Sequence, residues 1–111
     1  MRIANKQVAF TFDPKTGSLV QIEDLRARKR HLSDPAGGRL FRIVVPDDAK
    51  WLDRHAESHT AGQPKFKSVS GALRITYSNI RLADGSPSDI GVEALVSLPA
   101  EADEARFTIT V

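Results

Sequence analysis

A chain of 111 residues and 12.2 kDa has room for one domain with one modest core. Its 41% hydrophobic and 27% charged residues match an ordinary globular sequence and exclude a disordered tail, a collagen-like fibre and a protein that spans a membrane by helices. The lack of cysteine excludes disulfides, thiolate metal sites and cysteine nucleophiles, and the net charge of +2 is uneven, +6 over residues 1–78 and −4 over residues 79–111.

The elements follow a period of two. Val8, Phe10 and Phe12 alternate with Gln7, Ala9 and Thr11, as in a strand with one buried face. Asp13-Pro14-Lys15-Thr16-Gly17 is a turn, and residues 18–24 form the returning strand of a β-hairpin, with Val20 and Ile22 on one face. Residues 24–30 have no apolar stripe to support a helix, and residues 33–38 are a loop. Residues 40–45 are apolar and β-branched, which predicts a central strand ended by Pro46.

Residues 47–59 can be read two ways. Asp47 and Asp48 suit the start of a helix with Ala49, Leu52 and Ala56 on one face. The flanking strands favour the alternative, a loop followed by a strand over residues 52–60. Beyond residues 61–64 the alternation returns: a short strand over 66–69, then Leu73, Ile75 and Tyr77 on one face, then Val92, Ala94, Val96 and Leu98. A turn-rich connector at 83–89 separates the last two, and an acidic loop at 99–104 precedes a final strand with Phe107, Ile109 and Val111 inward. The expected fold is therefore all-β, an antiparallel β-sandwich of seven to eight strands forming a single domain over residues 1–111. A chain that stops inside an apolar strand reads as a piece excised from a longer protein.

The candidate chemistry is sparse. Arg26, Arg28, Lys29, Arg30 and His31 form one dense basic run, which suits an anionic polymer, but no stacking aromatic lies within it, which disfavours nucleic acid. His55 and His59 would share one face of a helix as metal ligands do, whereas on a strand they stand roughly 13 Å apart, too far to chelate one ion, so no metal is expected. No Gly-x-Ser-x-Gly elbow is present, and Gly37-Gly38 is a lone pair that leads into a strand, not a phosphate-binding helix. The acidic pairs Asp47/Asp48 and Asp103/Glu104 sit in loops beside prolines and do not form the opposed carboxylates of a glycosidase. No catalytic residue and no cofactor is expected. Trp51, the only tryptophan, could stack a sugar ring with Arg54 and His55 beside it; the competing reading is a tryptophan covering the edge of the core.

The opening run from Val8 to Asp24, with its strand, Asp-x-x-Thr-Gly-Ser-Leu turn and second strand ending in Asp, resembles the start of the galactose-mutarotase-like supersandwich domains of bacterial glycoside hydrolases and related carbohydrate-active enzymes. The strand Leu40-Phe41-Arg42-Ile43 and the rhythm of residues 73–77 and 91–96 are similar as well. Complete domains of this kind are longer, so the resemblance implies a partial supersandwich, the first portion only. It also implies that the domain precedes a catalytic barrel and packs on it, with the catalytic acids in the barrel. The His and Glu of true mutarotases find no motif here.

The expected role is thus a non-catalytic N-terminal β-sandwich domain of a carbohydrate-active enzyme, whose partner is the catalytic domain of the same parent chain and, beyond it, carbohydrate. One alternative is an autonomous carbohydrate-binding module that uses Trp51, Arg54 and His55. Another is a basic adaptor that binds an anionic polymer through Arg26–Arg30. No run approaches the ~18 apolar residues of a membrane helix. Residues 1–6 lack the apolar core of a secretion signal, although the parent of such a domain would be periplasmic or extracellular.

Overall fold

Side-chain oxygens close the tight turns of the first sheet. The computed structural model describes residues 1–32, 34, 37–45, 54–101 and 104–111. Strands β1 (Arg2–Ala4), β2 (Val8–Phe12), β3 (Leu19–Asp24) and β4 (Lys29–Leu32) lie side by side in that order, every pair antiparallel. At the β1–β2 turn Asn5 Oδ1 accepts the backbone N–H groups of Gln7 (2.8 Å) and Val8 (2.9 Å). At the β2–β3 turn Asp13 Oδ1 accepts those of Lys15 (2.7 Å) and Thr16 (3.3 Å), and at the β3–β4 turn Asp24 Oδ1 accepts those of Arg26 (3.1 Å) and Ala27 (3.0 Å). A short polar side chain that bonds its own backbone two and three residues on stands in for a ladder bond where the chain must reverse.

The second sheet is built from β7 (Lys65–Val69), β8 (Ala72–Tyr77), β9 (Val92–Ser97) and β10 (Arg106–Thr110), again in chain order and antiparallel. Its central strands alternate as the sequence predicts: Leu73, Ile75 and Tyr77 of β8 lie opposite Val96, Ala94 and Val92 of β9, all buried. With Val8, Phe10 and Phe12 of β2 they make one core shared by both sheets. A third, two-stranded sheet joins β5 (Arg42–Val45) to β6 (Arg54–Glu57). The fold is an all-β, antiparallel, sandwich-like arrangement, as expected.

The departures are local. Ten strands occur among the described residues instead of seven or eight; the additional ones include β1, only three residues long, and β4, formed from the basic run. Residues 42–45 do not form a central strand, because among the described residues they pair only with β6. The predicted strand over 52–60 ends at Glu57, and Ser58–Thr60 turn as a single 3-10 helix; residues 46–53 lie outside the described residues. A bulge opposite Thr11 and Phe12 leaves Val20 out of the register, so Leu19 and not Val20 joins Ile22 against the core. One inserted residue is enough to exchange the faces of a strand.

Tyr77 bridges the two larger sheets. Its ring is buried edge-on to Phe41 (centroids 5.0 Å apart, interplanar angle 88°), and its hydroxyl donates to the Thr16 carbonyl (2.7 Å) at the tip of the β2–β3 hairpin. Gly17 follows at φ 77°, and a Cβ there would run into the Tyr77 hydroxyl and touch the Pro64 ring. Glycine is therefore needed twice at this point, for its backbone angle and for the space it leaves. Gly17→Val is expected to destabilise the fold by about 1 kcal/mol or more, read as a lower urea midpoint, and an unchanged midpoint would refute the close approach.

Burial also pushes the Tyr77 phenol well above its ordinary value of 10. The folded state keeps a proton that the unfolded chain gives up, so this contribution to stability is complete below pH 10 and declines as pH rises from there towards the native value. The chain has one tyrosine, so phenolate absorbance reports on it alone. That absorbance is expected to appear only together with unfolding, and Tyr77→Phe is expected to remove part of the alkaline loss of stability. A reversible phenolate titration near pH 10 in the folded protein would contradict the buried placement.

Candidate functional site

The β5–β6 pair carries Arg54 and His55, the described residues of the predicted sugar platform. Its register sets Arg42 opposite Glu57, Ile43 opposite Ala56, Val44 opposite His55 and Val45 opposite Arg54. Side chains alternate along a strand, so one face holds Ile43, Val45, Arg54 and Ala56, and the other holds Arg42, Val44, His55 and Glu57. The first face is turned inward: Ala56 is fully buried, and Ile43 and Val45 pack on the core. The second faces out, and Val44 on it is 52% exposed.

Ser58 anchors this pair to the sandwich. Its hydroxyl, fully buried, accepts the backbone N–H groups of Leu40 (2.7 Å) and Phe41 (3.4 Å), and its own N–H donates to the Phe41 carbonyl (3.1 Å). Further along, the Ala83 N–H donates to the His55 carbonyl (2.7 Å) and the Arg81 N–H to the Ala61 carbonyl (2.9 Å). Phe41, fixed in this way, supplies the ring against Tyr77. The hairpin is thus held by backbone bonds to the segment that follows β8 as well as by apolar contact.

Two carboxylates organise the charges. Glu57 lies 3.9 Å from both the Arg39 and the Arg42 guanidinium nitrogens Nε, and 3.6 Å from His59 Nδ1. Asp84 takes the Arg54 guanidinium at 3.2 Å. The Ser86 hydroxyl and backbone N–H both donate to Asp84, and these bonds, ahead of the Arg54 charge, hold its carboxyl below the usual aspartate range.

Arg54 and His55 therefore project to opposite faces, Arg54 towards Asp84 and His55 beside Val44. A flat ligand on one face meets one of them, not both. Trp51, the third residue of the predicted platform, lies outside the described residues. His59 stands on the 3-10 turn with its ring against Glu57, which is neither the helical nor the strand spacing considered for a metal pair. Among the described residues no group of three His, Cys, Asp or Glu side chains could hold a metal ion. Glu57 and Asp84 escaped the sequence reading because their arginine partners come from other segments, and no local pattern announces such contacts.

The basic run forms the exposed β3–β4 turn and β4. Arg28 takes a left-handed backbone angle (φ 54°) there, and Arg30 lies 3.5 Å from Glu23. A hollow of about 230 Å³ at this turn is lined by Arg28 and Arg30 but also by Glu23 and Asp24, so its charge is mixed. A larger open groove of about 620 Å³ lies where the β1–β2, β7–β8 and β9–β10 connections meet, between Asn5, Lys6, Gly71, Leu98 and Glu101. Asn5 Nδ2 bridges its two sides by donating to the Pro99 carbonyl (2.7 Å).

No family model matches the chain, and no curated protein and no solved structure matches it either.

The low Asp84 value gives a pH signature. Any stability linked to this group is present above the ordinary aspartate range and is lost as pH falls through the lower native value. A carbon-detected NMR titration is expected to place the Asp84 midpoint below that of an unstructured aspartate, and Ser86→Ala is expected to raise it. A midpoint that does not respond to Ser86→Ala would show that the Ser86 bonds are not the cause.

Proposed function

We propose that this chain is a non-catalytic β-sandwich domain of a carbohydrate-active enzyme, packed on the catalytic domain of the same parent chain and shaping one wall of its cleft. The carbohydrate context rests on the resemblance of the opening hairpin to supersandwich domains. It is supported by the form of that hairpin here: two antiparallel strands joined through an Asp13-closed turn with Gly17 at positive φ.

The observation that carries the packing role is the outward face of β5–β6. It combines exposed Val44 with Arg42, His55 and Glu57 on a hairpin rigidly tied to the core by Ser58. Interfaces between domains of one chain have this mixed apolar and polar character. On the described part of this face Val44 sets an apolar side chain beside the polar Arg42, His55 and Glu57, a mixture found in other protein interfaces.

The complete gene product tests the reading first: a polysaccharide-active catalytic domain in the same chain is expected, and a reading frame with no further domain overturns it. In that product Val44→Glu is expected to lower the melting temperature of the catalytic domain while the sandwich keeps its own. Affinity electrophoresis then separates the alternatives. The 111-residue chain is expected to migrate unchanged in gels cast with neutral polysaccharides. Retardation lost in Trp51→Ala or His55→Ala would make it an autonomous carbohydrate-binding module. Salt-sensitive retardation by heparin, lost when Arg26, Arg28 and Arg30 are neutralised, would make it a basic adaptor.

A further inference from the structure

The last strand was expected to turn Phe107, Ile109 and Val111 inward, and the structure qualifies this in an informative way. Phe107 lies opposite Val96, and Ile109 opposite Ala94, so both side chains are on the core face of the second sheet. Phe107 touches the rings of Phe10 and Phe12, each with centroids 6.4 Å away. Yet Phe107 is 42% exposed, Ile109 40% and Val111 77%. The apolar face continues onto β10, but the cover over it does not.

β10 is also an edge strand, paired among the described residues only with β9. An edge presents unpaired backbone groups and is normally protected by charge or by shortness. The other edges of the two larger sheets are protected in this way. β1 has three residues, β4 carries Lys29 and Arg30, and β7 carries Lys65 and Lys67. β10 has a single charge, Arg106, at its first residue.

From these features we infer that β10 pairs antiparallel with β10 of a second copy about a two-fold axis through Thr108, joining two four-stranded sheets into one of eight strands. The register is self-complementary. Phe107 would face Ile109 of the second copy and Ala105 would face Val111, so the apolar residues meet on one side. On the other side Thr108 faces Thr108, and Arg106 faces Thr110. No like charges oppose one another. The same operation on β7 sets Lys67 against Lys67, and on β4 an axis through Arg30 sets Arg30 against Arg30, which like-charge repulsion disfavours. An antiparallel edge pairing is isologous, so it closes at two copies and leaves no further β10 edge to propagate. A five-residue edge falls well short of the roughly 800 Å² per partner of a stable interface, so the pairing depends on concentration.

This inference concerns the 111-residue chain and uses a surface other than the β5–β6 face of the proposed function. Sedimentation equilibrium over a range of concentrations tests it. The average mass is expected to climb from 12.2 kDa towards twice that value as concentration rises. Thr108 is exposed and lies on the face away from the core, so charging it should not unfold the chain, which circular dichroism checks. Thr108→Lys and Thr108→Glu are each expected to abolish the rise, since each sets two like charges together at the axis. An equimolar mixture of the two variants is expected to restore it as a heterodimer. A mass that stays at 12.2 kDa at every concentration overturns the inference, as does association that neither variant weakens or that the mixture fails to restore.

Discussion

The bond from the Tyr77 hydroxyl to the Thr16 carbonyl is a polar tie between the two larger sheets, beside the apolar core they share. It spans 61 residues, crosses from the centre of the second sheet to the hairpin tip of the first, and works only because Gly17 has no side chain. On its other side the same ring receives Phe41, which Ser58 holds at the head of the two-stranded sheet. All three sheets therefore converge on one phenol. A hydroxyl buried this far needs its acceptor, since an unpaired polar group in the interior costs about 1–3 kcal/mol. Satisfying it fixes the hairpin tip, while Ser58 holds Phe41 and the β5–β6 pair against the same ring.

How far the sequence could be read depends on how local each cause is. β8 and β9 were legible because both alternate without interruption, and their buried residues are those the pattern names: Leu73, Ile75, Tyr77, Val92, Ala94 and Val96. The β2–β3 hairpin was legible for the same reason, but its bulge was not. Nothing in Leu19-Val20-Gln21-Ile22 says which residue drops out of register, since both choices leave a branched apolar residue beside Ile22. β4 was hidden because a run of cations looks like a solvated turn, although its pairing with β3 asks only for backbone. The exposure of β10 was hidden for a different reason: periodicity tells which way a side chain points, not whether anything lies above it.

The candidate site was less legible still. Arg54 and His55 were correctly placed on a strand, yet a strand separates neighbours onto opposite faces, so adjacency in sequence was a poor guide to adjacency in space. Arg54 finds Asp84 thirty residues later, and Glu57 gathers Arg39 and Arg42 from before β6 as well as His59 from just after it. Such charge groupings are products of the tertiary fold. They steer what the outward hairpin face can meet, and its surface is defined as much by Val44 between them as by the charges themselves.

The order of the strands in the sheets has a kinetic meaning. Every hydrogen-bonded neighbour is also a neighbour in the chain: β1 to β4 in one sheet, β5 and β6 in another, β7 to β10 in the third. Each sheet is a meander that can zip up from its own turns, with short loop closures and little entropy lost per step. During synthesis the first sheet has all of its pairing partners once residue 32 has left the ribosome, well before Tyr77 exists to hold it. Until then Phe10 and Phe12 have no second sheet to cover them, so the long-range contacts of this chain are concentrated in the docking of one sheet onto another and not in the pairing within either.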